Sequence, residues 1–293
     1  YIITMPFIKQ LNKDFFIKNN HIELSPEYIK DPKFSVKKIT GTTFGSVLGL
    51  NKYKTPLKTW AIMVGIYKET MDETLAKTGT IIEPKIREYA QEKLNLKFKV
   101  YNPHEIKYDV FKDDKVYGGI PDGEPVDEFG NISYSDDKPM LEVKTSSCDS
   151  LVYKQTEENQ LRMVKDENGF PIVKVPGGKK AEWFDADNKF IIPLEYKYQL
   201  GLYLYLRKVK KGVFAVGFLQ REDYKNMEDF DPNKREIHLV NFSIKDPSQL
   251  EKAIEYGREW YKKYVKSEPC ISPKISSKED IDWLKKELKI EIC

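Results

Sequence analysis

A stretch of five residues, Met140 to Lys144 with the sequence Met-Leu-Glu-Val-Lys, restricts the possible folds more than any other part of the chain. Its apolar residues predict a strand, in which successive side chains point to opposite faces. Glu142 and Lys144 therefore share one face, and Leu141 and Val143 occupy the other. Burying a carboxylate and an ammonium costs several kcal/mol unless the pair is hydrogen-bonded or binds a metal ion. The segment is therefore either an edge strand with one solvated face or a central strand whose charged pair serves a function.

The composition indicates a packed globular protein. Of the 293 residues, 40% are hydrophobic and 13% are aromatic, which is enough to form a core. No segment approaches the roughly 18 apolar residues of a membrane span, and residues 1–7 are too short and too quickly followed by charge for a signal peptide. We therefore expect a soluble, intracellular protein with no membrane partner. The 49 Lys and Arg against 46 Asp and Glu give a net charge of +3, which neither indicates nor excludes a nucleic-acid partner.

Cysteine and histidine are too scattered to predict a metal centre of sulfur and nitrogen ligands. The cysteines are odd in number and far apart, so we expect free thiols at Cys148, Cys270 and Cys293. The histidines form no cluster in the sequence: His21, His104 and His238.

Turn signals and the absence of repeats predict one domain over residues 1–293. It carries an N-terminal segment (1–38), a β-hairpin-like insertion (about 155–192) and C-terminal helices (about 246–293). Caps and spacing predict helices after Ser25, at 55–67, 83–94, 194–209 and 246–265, and after a capping box of Ser276 and Glu279. Strands are predicted at 107–111, 116–120, 140–145, 212–220 and 236–244, and a tight turn at 40–46 before a short helix. This order predicts an α/β (α+β) fold, with a central mixed sheet flanked by helices on both faces.

A second acidic residue follows the predicted strand at 116–120. The segment Gly-Gly-Ile-Pro-Asp-Gly at 118–123 places Asp122 at the end of that strand, and a hairpin can return the chain to Glu142. Two carboxylates and Lys144 would then converge, and carboxylate oxygens suit Mg²⁺ or Mn²⁺. A metal there can activate water and neutralise phosphate charge, while the lysine orients or deprotonates the water or stabilises the pentavalent phosphorus. The sequence therefore predicts phosphodiester hydrolysis.

The Pro121-Asp122 and Glu142-x-Lys144 elements together resemble the motif of the PD-(D/E)xK nuclease superfamily. Three further segments are similar to motifs of YqaJ-type viral recombinases, relatives of phage lambda exonuclease. They are the small-residue segment 40–53 with its Leu-Gly-Leu-Asn-Lys-Tyr end, Gly79-x-x-x-Glu83-Pro84, and Tyr196-x-x-Gln199-x-x-x-Tyr203. These motifs occur in the family's order over about residues 39–220. The resemblance implies a restriction-endonuclease-like core.

The resemblance also implies a role for each matching position. The metal ligands would be Asp122, Glu142, the Val143 backbone carbonyl and Glu83; Lys144 would be the catalytic lysine and Gln199 would orient the attacking water or the scissile phosphate. DNA phosphate would be bound by Thr42 and Thr43, with Lys37 and Lys38 as the cations nearest to a position where relatives have an arginine. Simpler alternatives remain for three of these residues: a favourable charge at a helix start for Glu83, a capped polar group in the core for Gln199, and an ordinary turn residue for Thr42.

The expected function is that of a Mg²⁺- or Mn²⁺-dependent deoxyribonuclease. The family resemblance implies an exonuclease that acts on double-stranded DNA from its ends, in recombination or repair. A restriction-type endonuclease and a non-catalytic DNA-binding pseudo-nuclease are the alternatives. The resemblance also allows a homo-oligomer, either a ring or a dimer, and a single-strand annealing partner protein. A cytoplasmic protein of bacterial or phage origin is expected, and the use of only six arginines among the basic residues is typical of an AT-rich genome.

Overall fold

The structure of the protein, a computed structural model, describes residues 7–69, 71–156 and 161–290. This part of the chain contains eight α-helices: α1 (Pro26–Lys30), α2 (Gly41–Val47), α3 (Pro56–Met63), α4 (Glu73–Leu94), α5 (Leu194–Arg207), α6 (Arg221–Lys225), α7 (Pro247–Trp260) and α8 (Lys278–Leu288). Short 3₁₀ turns lie at Lys180–Trp183, Met227–Asp229 and Pro232–Lys234, and a π-helical turn, Tyr261–Val265, follows α7.

The strands of the described residues are mostly short. They are β1 (Phe15–Lys18), β2 (His21–Leu24), β3 (Ile39–Thr40), β4 (Phe98–Lys99), β5 (Tyr117–Gly118), β6 (Glu124–Pro125), β7 (Met140–Ser147), β8 (Ser150–Leu151), β9 (Tyr153–Gln155), β10 (Leu161–Met163), β11 (Val173–Val175), β12 (Lys211–Leu219) and β13 (Ile237–Ser243). Among them, β7, β12 and β13 are long enough to form an extended sheet.

The central sheet has the strand order β13-β12-β7. Strand β12 runs parallel to β7, with Glu142 opposite Phe214, and antiparallel to β13. On its other side β7 is also hydrogen-bonded, because Leu141 N–H donates to the Gly123 carbonyl over 2.9 Å and the Leu141 carbonyl accepts from Gly123 N–H over 3.2 Å. Glu142 is fully buried. The strand is therefore central at this point, and a solvated edge strand is the wrong alternative.

Helices cover both faces of this sheet. On one face, Ile82 and Ile86 of α4 pack in a core that includes Leu141 and Val143. On the other face, residues of α5 such as Leu200 pack in a core with Met140 and Phe214. The α/β class with a central mixed sheet flanked by helices is thus confirmed.

A third core joins the N-terminal segment to the C-terminal helices. It is formed by the β1–β2 hairpin, α2, α3, α7 and α8, with Phe15, Trp60 and Trp260 among its buried side chains. Trp60 Nε1 donates a hydrogen bond to the Tyr264 carbonyl over 2.7 Å. This core supports α2, which contacts the candidate site.

Helix α4 starts ten residues earlier than the sequence predicts. Asp72 caps it, since Oδ1 accepts from Thr74 N–H over 2.8 Å and from Leu75 N–H over 3.1 Å. Pro84, which suggested a helix start, lies inside the helix instead. A proline inside a helix lacks one backbone donor and is normally unfavourable. Tertiary packing of the helix against the sheet outweighs that local signal.

Three other local predictions are wrong or displaced. Residues 107–111 form a turn and not a strand, because Lys107 and Tyr108 have positive φ angles and Asp109 Oδ1 accepts from Phe111 N–H. The strand predicted at 116–120 shortens to β5. The cap of α8 is Ser277, which accepts from Asp280 N–H, and not Ser276.

The segment expected to be a hairpin-like insertion contains small antiparallel ladders. β9 pairs with β10, and β11 pairs with β8, while residues 157–160 lie outside the described residues. After the ladders, the 3₁₀ turn ends at the buried Trp183, whose ring stacks on Tyr196 of α5 with centroids 5.4 Å apart. The segment therefore packs directly against the helix that carries Gln199.

A buried ion pair holds the C-terminal end of α5 against β6. Glu124 is fully buried, and its carboxylate accepts from Arg207 Nε over 2.6 Å and from Arg207 Nη2 over 2.8 Å. Tyr101 and Tyr134 hydroxyls donate to the same carboxylate over 2.5 and 2.6 Å. Both oxygens of the carboxylate are thus hydrogen-bonded, as a buried carboxylate requires.

Cys148 and Cys270 are free thiols, as expected, and Cys293 lies outside the described residues. Within residues 7–69, 71–156 and 161–290, no helix combines the length and the apolar character needed to cross a membrane.

Candidate active site

Strand β7 places Glu142 and Lys144 on the face that α5 covers. Lys144 Nζ donates to Glu142 Oε1 over 2.6 Å, and the exposed fractions of the Lys144 and Glu142 side chains are 16% and 0%. The alternation of side chains along the strand predicts this pairing. Lys144 Nζ also lies 5.1 Å from the centre of the Tyr196 ring, within the range of a cation–π interaction.

Asp122 is fixed beside this pair by the backbone of β7. The chain before β6 runs antiparallel to β7, and Asp122 Oδ2 accepts from Val143 N–H over 2.8 Å. In a strand the N–H and C=O of one residue point to the same side, so the Val143 carbonyl also faces Asp122. The Asp122 carboxylate, the Val143 carbonyl and the pair on β7 therefore lie in one small region.

Gln199 reaches the same carboxylate from α5. It is 8% exposed, and its Nε2 donates to Glu142 Oε1 over 2.5 Å. The alternative for Gln199, a capped polar group in the core, agrees with its burial. Its hydrogen-bond partner, however, is the candidate metal ligand Glu142. Lys144 and Gln199 thus both donate to Oε1 of Glu142, and no described residue donates to its Oε2.

Glu83 belongs to this group through α4. It lies in the middle of the helix, so the alternative of a favourable charge at a helix start is wrong. Burial, and after it the nearby Asp122 charge, raise the pKa of Glu83 to about 7. Its carboxylate therefore lies close enough to Asp122 for the two charges to repel each other.

The buried charged groups of the site shift one another's pKa values. Burial, followed by the charge of Asp122, raises the pKa of Glu142 above its usual range. Burial lowers the pKa of Lys144, but the carboxylates of Glu142 and Asp122 outweigh it and keep this pKa above its ordinary value. Lys144 is therefore a cation at neutral pH. The raised pKa values mean that Glu83 and Glu142 hold protons more readily than free carboxylates do, and a bound cation would favour their ionised forms.

The donor set fits a divalent cation at Asp122 and Glu142. Glu142 Oε2 is buried and accepts no hydrogen bond from the described residues. An unpaired carboxylate oxygen in a buried position costs free energy, which a cation there would offset. Within the described stretches of chain, no three carboxylate, imidazole or thiol groups converge as a complete ligand set. Mg²⁺ usually takes only one or two protein carboxylates and completes its shell with water, so two carboxylates and the Val143 carbonyl suffice.

The small-residue segment after β3 is a helix, α2, and not the predicted tight turn. Its two glycines face α5: a Cβ on Gly41 would lie 2.8 Å from Gln199 Cγ, and a Cβ on Gly45 would lie 3.0 Å from Glu195 Cβ. The glycines therefore allow the two helices to pack closely. The prediction of a tight turn did not include this role. The turn comes afterwards at Gly49, where φ is +72°.

The residues predicted to bind phosphate differ in their availability. Thr42 is exposed at the first turn of α2. Thr43 Oγ1 accepts from Thr40 N–H over 2.8 Å and so serves to cap the helix. Lys38 Nζ donates to Asp109 Oδ2 over 2.7 Å and to the Phe111 carbonyl over 3.0 Å, so phosphate could bind it only by breaking this pair. Lys37 is exposed.

Tyr203 is a site residue to which sequence reasoning gave no role. It is buried, and its hydroxyl accepts from Gly41 N–H over 3.2 Å. A Cβ on Gly119 would lie 2.5 Å from this hydroxyl. Tyr203 follows Gln199 by four residues, and side chains four apart lie on one face of a helix. This spacing could have predicted that Tyr203 lies near the site.

We expect Gly41→Ala to lower the free energy of unfolding by about 1–3 kcal/mol, because its methyl group overlaps Tyr203 and Gln199. Gly79→Ala in α4 is the matched control. The nearest atoms to its Cβ are 3.9 Å away, so the higher helix propensity of alanine should stabilise by about 0.5–1 kcal/mol. Urea denaturation of both variants measures the difference. Equal stability of Gly41→Ala and wild type would contradict the close contact of α2 with α5.

The family comparison agrees with the sequence motifs. Residues 33–170 match the YqaJ-like viral recombinase domain family, and this range contains every candidate site residue except Gln199 and Tyr203. Over 281 residues the chain is 52% identical to the uncharacterized protein MG373 of Mycoplasma genitalium, covering 96% of this chain and 98% of that protein. It is 48% identical, with the same coverage, to the MG373 homolog of Mycoplasma pneumoniae. Among solved structures, an alkaline exonuclease (LHK-Exo) from Laribacter hongkongensis is similar with a TM-score of 0.48 and 11% identity, covering 86% of this chain and 93% of that one.

Proposed function

Since the chain belongs to one family with the MG373 proteins and carries a YqaJ-like viral recombinase domain at residues 33–170, we propose that it is a metal-dependent nuclease acting on DNA. One observation carries the proposal. The buried Glu142 has one oxygen bound by Lys144 and Gln199, and its other oxygen has no partner in the described residues. A surface that only bound DNA would gain nothing from this carboxylate, because it would repel the phosphates.

Asp122, Glu142 and the Val143 carbonyl would hold Mg²⁺ or Mn²⁺, which supplies an activated water and neutralises charge on the phosphate. Glu83 would add a third carboxylate beside this cation, and the cation would favour the ionised form of Glu83. Gln199 keeps Glu142 in place by its hydrogen bond and would contact the water or the phosphate. These side chains approach the reaction centre from β7, α4 and α5, so rigid elements position most of the site.

Lys144 acts in this proposal as a fixed cation. Its ammonium donates to Glu142 Oε1 over 2.6 Å, and the carboxylates of Glu142 and Asp122, which a bound cation would partly neutralise, raise its pKa above the ordinary value of lysine. An ammonium beside the scissile phosphate stabilises the charge that develops on the oxygens around phosphorus. Of the three roles that the sequence left open, we propose charge stabilisation, which needs only that the ammonium lies at the carboxylates, as its hydrogen bond to Glu142 supports.

The finer proposal is an exonuclease that digests double-stranded DNA from its ends, in recombination or repair. It is supported by the four motifs that resemble relatives of lambda exonuclease and by the match to a viral recombinase family. The ring or dimer, the annealing partner and the cytoplasmic location stay predictions from the same resemblance.

The test compares linear, nicked and covalently closed circular forms of one plasmid, with Mg²⁺ or with a chelator. We expect the wild type to degrade linear DNA only when metal is present, and Glu142→Gln to leave it intact. Cutting of closed circles would replace the exonuclease by an endonuclease. Wild-type protein that binds DNA but degrades no form with either Mg²⁺ or Mn²⁺ would favour the pseudo-nuclease and overturn the proposal.

A further inference from the structure

A groove of about 470 Å³ lies where the N-terminal segment meets the end of α3. One wall comes from residues 8–37, and the other comes from residues 62–69. Four lysines line it: Lys9, Lys33, Lys37 and Lys68. Lys33, Lys37 and Lys68 are exposed, and Lys9 is partly buried with its ammonium 4.7 Å from the Tyr28 ring centre.

The groove carries a local positive charge that the overall charge of +3 conceals. Among the described residues, none of the four lysine ammoniums pairs with a carboxylate. The groove has two acidic residues, Asp31 and Glu69. Glu69 is already neutralised, since Lys54 and Lys58 bind its carboxylate over 2.5 and 3.1 Å from outside the groove lining. The remaining charge attracts a polyanion.

The base of the groove is apolar and fixed by the core. Tyr28 and Tyr67 are each 7% exposed, and Tyr28 donates from its hydroxyl to the Val64 carbonyl over 3.0 Å. Phe34 packs edge-on against Tyr28 with ring centroids 5.1 Å apart. Cations around an apolar base suit a sugar–phosphate chain, because lysines neutralise its phosphates while its sugars contact the base of the groove.

The groove is close to the candidate active site along the chain. Lys37 precedes β3, and the next residue after β3 is Gly41, which contacts Gln199. The four residue steps from Lys37 to Gly41 span at most about 14 Å. A DNA strand that passes the active site therefore needs only a few further nucleotides to reach the groove.

We propose that this groove, lined by Lys9, Lys33, Lys37 and Lys68, binds the phosphate backbone of the DNA substrate a few nucleotides from the cleaved bond. The proposal rests on the proposed nuclease function and adds to it a second contact area, formed mostly by the N-terminal segment. The groove makes no base contact that would specify sequence. It positions the duplex and contributes to affinity, while the carboxylates perform the hydrolysis.

The experiment measures binding of a duplex oligonucleotide at several salt concentrations with Mg²⁺ present, in a Glu142→Gln background that prevents cleavage. Lys33→Gln with Lys68→Gln removes two groove charges. Removing one lysine–phosphate contact should make the slope of log K against log salt shallower by about 0.9, so we expect a slope shallower by about 1.8 for the pair. Affinity at about 0.1 M salt should fall by roughly tenfold or more.

The control is Lys252→Gln with Lys262→Gln, two exposed lysines that do not line the groove. It changes the net charge equally and should leave the slope unchanged. A groove variant that binds like this control overturns the groove proposal, provided thermal melting shows both variants folded. The nuclease proposal is judged separately by hydrolysis with Glu142 intact, so the two proposals can fail independently.

Discussion

Lys144→Met is expected to lower kcat for DNA hydrolysis by about 10²–10³-fold, while affinity for the duplex changes little. The lysine lies 2.6 Å from Glu142, is mostly buried and holds its proton, so its charge acts at the reaction centre and not in bulk attraction of DNA. Single-turnover hydrolysis of linear duplex with saturating protein measures the chemical step. Activity within about threefold of wild type would contradict the assignment of Lys144.

Two further variants separate catalysis from stability. Lys144→Met leaves Glu142 buried without its ammonium, which destabilises the fold by itself. Glu142→Gln combined with Lys144→Met removes both charges and should fold well but remain inactive. Lys97→Met changes an exposed lysine just before β4 and should retain full activity. Loss of activity in Lys97→Met as well as in Lys144→Met would point to a general loss of positive charge.

Arg207→Ala is expected to lower the free energy of unfolding by about 3–5 kcal/mol. The substitution leaves Glu124 as a fully buried carboxylate with only the Tyr101 and Tyr134 hydroxyls as partners. Lys211→Ala is the control, because Lys211 and Asp136 form an exposed pair 3.4 Å apart that should contribute less than about 1 kcal/mol. Chemical denaturation measures both. A decrease in the free energy of unfolding of less than about 1 kcal/mol for Arg207→Ala would show that the buried ion pair does not stabilise the packing of α5.

The buried pair of Glu124 and Arg207 also makes the free energy of unfolding depend on pH. Burial raises the pKa of Glu124, but Arg207 and the two tyrosines outweigh it and bring this pKa below the ordinary value of 4.5. The stabilisation is therefore complete above the ordinary pKa of 4.5 and is lost as the pH falls through the lower pKa of the folded state. Glu124→Gln should be less stable than wild type at about pH 7, and this difference should shrink on acidification.

The strands and helices with strong periodic patterns were predictable. The segment at 140–145 is β7, the segment at 194–209 is α5, and alternation alone placed Glu142 beside Lys144. These elements have apolar faces that match their own period, so local pattern and tertiary packing agree. The hydrogen bond between Gln199 and Glu142 came from no local pattern, and only the family resemblance suggested their proximity.

The wrong predictions rest on residues whose structural role depends on tertiary packing. Pro84 is typical of a helix start, yet α4 passes through it because Asp72 caps the helix earlier. Gly41 and Gly45 are typical of a turn, yet they form one side of a helix that another helix approaches closely. A glycine allows both a left-handed backbone and a close contact, and sequence alone does not tell which is used.

Helix α5 contacts several different parts of the protein through residues spaced by four. Glu195 binds Asn51, Gln199 binds Glu142, Tyr203 binds Gly41, and Arg207 binds Glu124. Rotating the helix by one residue, about 100°, would break all of these contacts together. Insertions or deletions within α5 should therefore be far less tolerated during evolution than length changes in the ladders of β8 to β11, which do not include the Trp183–Tyr196 contact.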